Sequence, residues 1–333
     1  MPSSPEDSGK RRLQFLKNAL KITIAAGLIF FLFSTGKIDI GQILHSYTNP
    51  GALLAGVLCC TIACAIPIVR WWILARIQQL NVSLFDALRL TMISYFFSIF
   101  APGNVGGDVV RAYYALRESP DQKPRVLTVA LVDRGLGLHA LLFLSAAALV
   151  LQPRLLDAAP GLRQWMIPAV CLFAAAMLSP LLLLWDRTNS LLLSLCGRVV
   201  GGVQAWRDAV TFYRSRPGML GLAYLCSLGN AFFNALLIHC MMRAVGAAPV
   251  LLESLIIGPL VILANMLPFS PGGLGIAEAA SAILYGAAGH AGGASGMLLT
   301  RCVVIIHALV GAVFLLLYKK PSIQQGVRNP SVE

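Results

Sequence analysis

The chain has 333 residues, of which 57% are hydrophobic and only 12% charged, and its mean hydropathy is +0.76; soluble proteins carry about 25% charged residues. The polar-leaning stretches 1–21 and 186–217 are too short to bury a core, so no water-soluble domain of any size is expected. The 26 Lys and Arg outnumber the 14 Asp and Glu for a net charge of +12. They flank apolar runs, a pattern of membrane topology rather than of nucleic-acid binding.

Lys10, Arg11, Arg12, Lys17 and Lys21 precede the first apolar run. No convincing small-residue cleavage site follows, which predicts a basic tail over 1–19 and a retained first helix. Six stretches, 20–36, 51–70, 126–151, 164–185, 218–242 and 294–318, are long enough to cross about 30 Å of hydrocarbon. Two more, 84–101 and 250–267, end at Pro and Gly-Gly breaks, and short helices follow near 107–117 and 275–288. Broken backbone at membrane depth is tolerated only inside protein or beside a wet cavity. These stretches are therefore predicted to be re-entrant hairpins over 84–117 and 250–288, with ordinary kinked spanning helices as the alternative. The expected fold is an all-α polytopic membrane protein with about six full spans plus two inverted re-entrant helical hairpins. It forms one domain over 20–320, followed by a tail over 321–333.

The two breaks share their punctuation. Pro102-Gly103-Asn104-Val105-Gly106-Gly107-Asp108 is followed by Arg111, and Pro268-Phe269-Ser270-Pro271-Gly272-Gly273-Leu274-Gly275 is followed by Glu278. Paired interruptions at corresponding places in two halves point to a substrate site near the bilayer midplane. With the amino terminus inside, only Lys37, Arg154, Arg163, Arg243 and Arg301 of the 26 basic residues fall outside or near the outer ends. That bias places both termini on the cytoplasmic side of the membrane. It also sends the first hairpin in from the cytoplasmic side and the second from the opposite side. Asp86-Ala87-Leu88 and Glu253-Ser254-Leu255 open the two hairpins at nearly the same offset.

The charges inside this frame carry the chemistry. Asp108 and Arg111 lie three apart on one helix face, Asp133 and Arg134 begin the third full span, Glu278 opens the helix after the second break, and Arg301 lies one or two turns into the last span. Each ionised group near the bilayer centre costs about 2.5–3.5 kcal/mol, so these groups must pair, reach water or bind something. Helix amino termini at the glycine turns favour anions. The candidate binding residues are Asn104, Gly106, Gly107, Asp108, Arg111, Asp133, Arg134, Gly272, Gly273, Glu278 and Arg301, forming a cradle for a phosphate head group. Purely structural ion pairing is the alternative.

Val199, Val203, Trp206, Val210 and Tyr213 recur at helical steps among Arg198, Arg207, Arg214 and Arg216. This predicts an amphipathic cytoplasmic helix over 198–216 that lies on anionic lipid, with docking to a partner as the second reading. The cysteines lie in apolar stretches without a Cys-x-x-Cys and read as packing residues. The histidines show no metal-binding spacing. No metal or cofactor is expected.

The Pro-Gly-Asn-x-Gly-Gly-Asp-x-x-Arg run at 102–111, Val132-Asp133-Arg134-Gly135-Leu136-Gly137-Leu138, and Leu267-Pro268 through Pro271-Gly272-Gly273-Leu274-Gly275 with Glu278 resemble the lysylphosphatidylglycerol synthase transmembrane region. The resemblance runs from about residue 15 to 320. It implies movement of a lipid between leaflets, with Asp108, Arg111, Asp133, Arg134, Glu278 and Arg301 at matching positions. The chain ends at Glu333 without an aminoacyl-transferring domain, so lipid lysinylation by this chain alone is not expected. The expected activity is translocation of a phospholipid or other anionic or polyprenyl-type lipid, not enzymatic turnover. The expected partners are membrane lipids with anionic head groups, with a homo-oligomer or a lipid-modifying enzyme as further partners. A non-catalytic scaffold for such an enzyme and a membrane-embedded transferase are the alternative functions.

Overall fold

A computed structural model describes residues 49–99, 105–151, 208, 211–266, 273 and 275–318. The predicted spans at 20–36 and 164–185, both tails, and most of the 198–216 helix lie outside the described residues. The described chain forms eight α-helices and one 3-10 turn, with no strand among them. They are α1 (Pro50–Ile77), α2 (Leu84–Ser98), α3 (Val105–Glu118), α4 (Lys123–Leu151), α5 (Pro217–Ala244), α6 (Leu251–Asn265), α7 (Ile276–Ala287) and α8 (Gly293–Leu317). The turn at Pro120–Gln122 leads into α4.

Four helices, spanning Pro50–Ile77, Pro120–Ala147, Pro217–Ala244 and Gly293–Leu317, are long and apolar enough to cross a membrane. At 1.5 Å per residue, α2 and α6 reach only about 22 Å each, short of the roughly 30 Å hydrocarbon layer. Each folds back instead: α2 packs on α3 and α6 packs on α7, as expected of two hairpins.

The eight helices form two equivalent halves, α1–α4 and α5–α8. Exchanging the halves reproduces the main packing: α2 lies on α8 as α6 lies on α4, and α1 lies on α4 as α5 lies on α8. The sequence carries the same relation, because Pro50 and Pro217, Arg76 and Arg243, Asp86 and Glu253, and Arg134 and Arg301 are each separated by 167 positions. The central pair is antiparallel. The Asn49 backbone N–H at the start of α1 donates to Ala244 O at the end of α5 (3.3 Å), and Arg216, just before α5, donates to Arg76 O near the end of α1 (3.1 Å). A two-fold relation between antiparallel long helices has its axis across them, which is the geometry of an inverted repeat.

Side-chain caps start the short helices. In α2, Ser83 and Asp86 form a reciprocal capping box. In α6, Glu253 accepts from the Val250 N–H at 2.9 Å. The base of each hairpin is also clasped. Arg89 joins Asp86 (3.1 Å) to Glu118 at the end of α3 (2.7 Å), and Glu253 meets His290, beyond α7, at 2.8 Å.

Gly106 and Gly107 lie within the first turn of α3 rather than in the break before it. Gly107 is there for contact: a Cβ at this position would lie 2.5 Å from Ser94 O and would also strike Ser98 Oγ, both on α2. Gly107→Ala is therefore expected to force the hairpin arms apart and to destabilise the protein by about 1–3 kcal/mol, read by thermal unfolding in detergent. Tyr213 of the predicted amphipathic segment is buried against protein, in one cluster with Trp71 and Leu74. At that residue the apolar face meets the core rather than lipid.

Candidate functional site

Five ionisable residues of the first half form one alternating chain. Arg70, from the last third of α1, grips Asp133 of α4 with two bonds, Nε to Oδ1 at 2.6 Å and Nη2 to Oδ2 at 3.0 Å. Arg111 of α3 donates to the same carboxylate at 2.6 Å and to Asp108 at 3.1 Å. Asp108 in turn accepts from Arg134 at 2.7 Å. The series Arg70, Asp133, Arg111, Asp108, Arg134 thus has three guanidiniums sharing two carboxylates. Its inner end is dry, with Asp133 2% and Arg111 4% exposed, while the Arg134 side chain at the other end is 38% exposed. The Arg111 guanidinium also lies over the Trp71 ring, 4.2 Å from its centroid, a cation–π contact that helps hold a desolvated charge.

In the second half Arg301 meets Glu278 with Nε to Oε1 at 2.6 Å and Nη2 to Oε2 at 3.2 Å, and it also donates to Gly273 O at 3.2 Å. Glu278 caps α7 as well, accepting from the Gly275 N–H at 2.8 Å. Gly273 has a φ of +69°, which only glycine adopts at little cost. This strained turn is what presents its carbonyl to Arg301. Arg134 and Arg301 are repeat equivalents and do equivalent things, each holding a carboxylate in the first turn of the hairpin helix beside it. Arg111 and Glu278 are also 167 apart but carry opposite charge, so the two half-sites differ electrostatically inside a symmetric frame.

Between the halves lies a cavity of about 300 Å³, whose walls include Arg70, Asp108, Arg111 and Arg134 from the first half and Arg301 from the second. Asp133 and Glu278 do not line it, so among the described residues the surface facing the cavity carries four guanidiniums against one carboxylate. Of the sequence-predicted site residues, Asp108, Arg111, Arg134 and Arg301 reach this cavity directly. Asp133 and Glu278 sit behind them as counter-ions, and Gly273 contributes a carbonyl. Gly107 serves the packing of α3 on α2, Gly106 lies beside it in the first turn of α3, and neither is on the cavity wall. Asn104 and Gly272 lie outside the described residues.

Asp133 does not open its helix: α4 starts at Lys123, which puts the carboxylate almost three turns in and against α1. Arg70 was not among the predicted site residues. It sits at the end of the apolar run 51–70, where a basic residue reads as a membrane-edge charge, yet α1 continues to Ile77. A helix that runs on past an arginine is the signal that could have found it.

The fold and site define a polytopic helical membrane protein with a charged cavity between two antiparallel half-repeats. The chain belongs to the lysylphosphatidylglycerol synthase TM region family, whose model matches residues 18–316. No curated protein matches the chain.

Proposed function

We propose that this protein moves a membrane lipid between the leaflets of the cytoplasmic membrane, as a transporter rather than an enzyme. The anionic head group is held in the cavity while the acyl or prenyl tails remain in lipid. The observation that carries this reading is a cavity onto which Arg70, Arg111 and Arg134 converge from one half and Arg301 from the other. Guanidinium forks suit phosphate oxygens, and their carboxylate partners are placed so that the lining stays net positive. Support for movement, as opposed to binding alone, comes from the antiparallel halves, because inverted repeats rocking about a fixed site expose it to each side in turn. The basic-residue bias orients the first hairpin toward the cytoplasm, with both termini inside.

The test is reconstitution of purified protein into liposomes with a panel of head-group-labelled lipids, scoring the rate at which each changes leaflet. An anionic lipid is expected to cross faster than in protein-free liposomes, and neutral lipids to lag behind it. A folded protein that accelerates no lipid would sink the proposal and leave a role as a partner scaffold for a lipid-modifying enzyme.

A further inference from the structure

The central helices α1 and α5 have 28 residues each, and Ala63 and Asn230 are both the fourteenth residue of their helix. The two are repeat equivalents, 167 positions apart, and yet they touch each other: Asn230 Nδ2 donates to Ala63 O at 2.7 Å. Equivalent residues of a two-fold repeat meet only beside its axis, so this bond marks where the axis passes between the halves. Ala63 O is open to it because Pro67, four residues further along α1, has no N–H to continue the helix ladder. The equivalent of Pro67 in α5 is Asn234, again 167 positions on. Its Nδ2 bonds Asn230 O, also four residues back, at 2.8 Å, and a short polar side chain bonded in this way competes with the ladder. Both central helices are therefore weakened at the same repeat position, and Ala63, Pro67, Asn230 and Asn234 all lie on the cavity wall.

We infer that Ala63, Pro67, Asn230 and Asn234 form the pivot on which the two halves turn. The inference rests on the rocking motion of the proposed function and says where that motion is hinged. Displacement is smallest at the axis, so one bond between the halves persists there while the helix ends move. The missing ladder bond at Pro67 lets the two arms of α1 change their angle without breaking a backbone hydrogen bond. Asn230 keeps the Ala63 carbonyl paired at a depth where no water is present to take it. The ends of α1 lie roughly 20 Å from this point at 1.5 Å per residue, so a bend of about 10° displaces an end by roughly 4 Å. A purely structural kink would need Asn230 just as much; what separates the two roles is the effect of Pro67 on rate and motion.

The experiment compares the full chain with Pro67→Ala, Asn230→Ala and the double variant. Asn230→Ala alone is expected to lower the melting temperature in detergent by several degrees, because it orphans a buried carbonyl. In the Pro67→Ala background it should change little, since the restored N–H takes Ala63 O. In liposomes with fluorescent phosphatidylglycerol as the anionic probe, Pro67→Ala is expected to slow leaflet exchange about tenfold, the scale of one helix hydrogen bond. Its affinity for the same lipid in detergent should move far less. Motion is read separately by pulsed electron paramagnetic resonance, with spin labels on p-acetylphenylalanine placed at the exposed positions of Phe85 in the first half and Leu222 in the second. Two distances are expected for the parent and one for Pro67→Ala. A folded Pro67→Ala with the parent's distances overturns the pivot and leaves the lipid reading standing. If the parent moves no lipid, the lipid reading falls, and the label distances alone decide the pivot: a single distance in the parent overturns it, and two that collapse to one in Pro67→Ala support it. Should Pro67→Ala fail to fold, Pro67→Gly, which also restores the N–H, takes its place.

Discussion

Replacing Asp133 by alanine is expected to lower stability by about 3–5 kcal/mol, because it leaves buried arginines without their counter-ion. Asp133 accepts three bonds, two from Arg70 and one from Arg111, at 2.6 to 3.0 Å. Neither arginine can give up its proton, and among the described residues Arg70 has only Ser227 Oγ, at 3.1 Å, as its other hydrogen-bond partner. Three helices would lose their common tie, since Arg70 stands on α1, Arg111 on α3 and Asp133 on α4. The measurement is thermal or denaturant unfolding of the purified protein in one detergent, with Asp86→Ala as the comparison. Asp86 caps α2 at a half-exposed position, and its loss should cost only about 1 kcal/mol. Equal losses from the two variants would show that the buried chain of charges is not what ties α1, α3 and α4.

Arg301→Ala is expected to reduce lipid movement to the rate of protein-free liposomes while the protein remains folded. Arg301 is the described cation that the second half places on the cavity wall, and under the proposed function its removal strips a head group of its contact on that side. Glu278 keeps its place as the cap of α7 through Gly275, so the local fold survives better than at Asp133. Arg134→Ala, at the equivalent position of the first half, is expected to be milder, because Arg70 and Arg111 still face the cavity. Arg301→Lys should recover only part of the activity, since an ammonium does not reproduce the two-pronged grip on Glu278 together with the Gly273 carbonyl contact. The check is the liposome assay run on variants whose unfolding curves match the parent. A rate unchanged in Arg301→Ala would remove this residue from the transport site.

Much of the architecture was legible in the sequence because it follows from local chemistry. Apolar run length marks the long helices and proline with glycine marks the breaks. The placement of α2 and α6 followed from apolar runs that end at the breaks, with Asp86 and Glu253 opening them at nearly the same offset. Lone charges in apolar surroundings marked Asp108, Arg111, Asp133, Arg134, Glu278 and Arg301, because such groups are too costly at membrane depth to be incidental.

What the sequence could not supply is partnership across distance. Whether Asp133 faces the cavity or backs Arg70 depends on how α1 and α4 cross, and residues 63 positions apart carry no local sign of meeting. The glycines at 106 and 107 looked like a turn, yet both lie in helix, and at 107 the close approach of α2 leaves no room for a Cβ. The asparagines Asn230 and Asn234 on α5 are ordinary polar residues until packing ties their side-chain nitrogens to Ala63 O and Asn230 O and sets both residues on the cavity wall. By itself, then, the sequence determined a membrane-embedded helical chain with two matched breaks and a small set of costly charges, since burial cost and helix propensity are local quantities. Only the tertiary structure decided which charges neutralise one another and which are left facing the cavity, because ion pairing depends on distances that only the packing of two antiparallel halves sets.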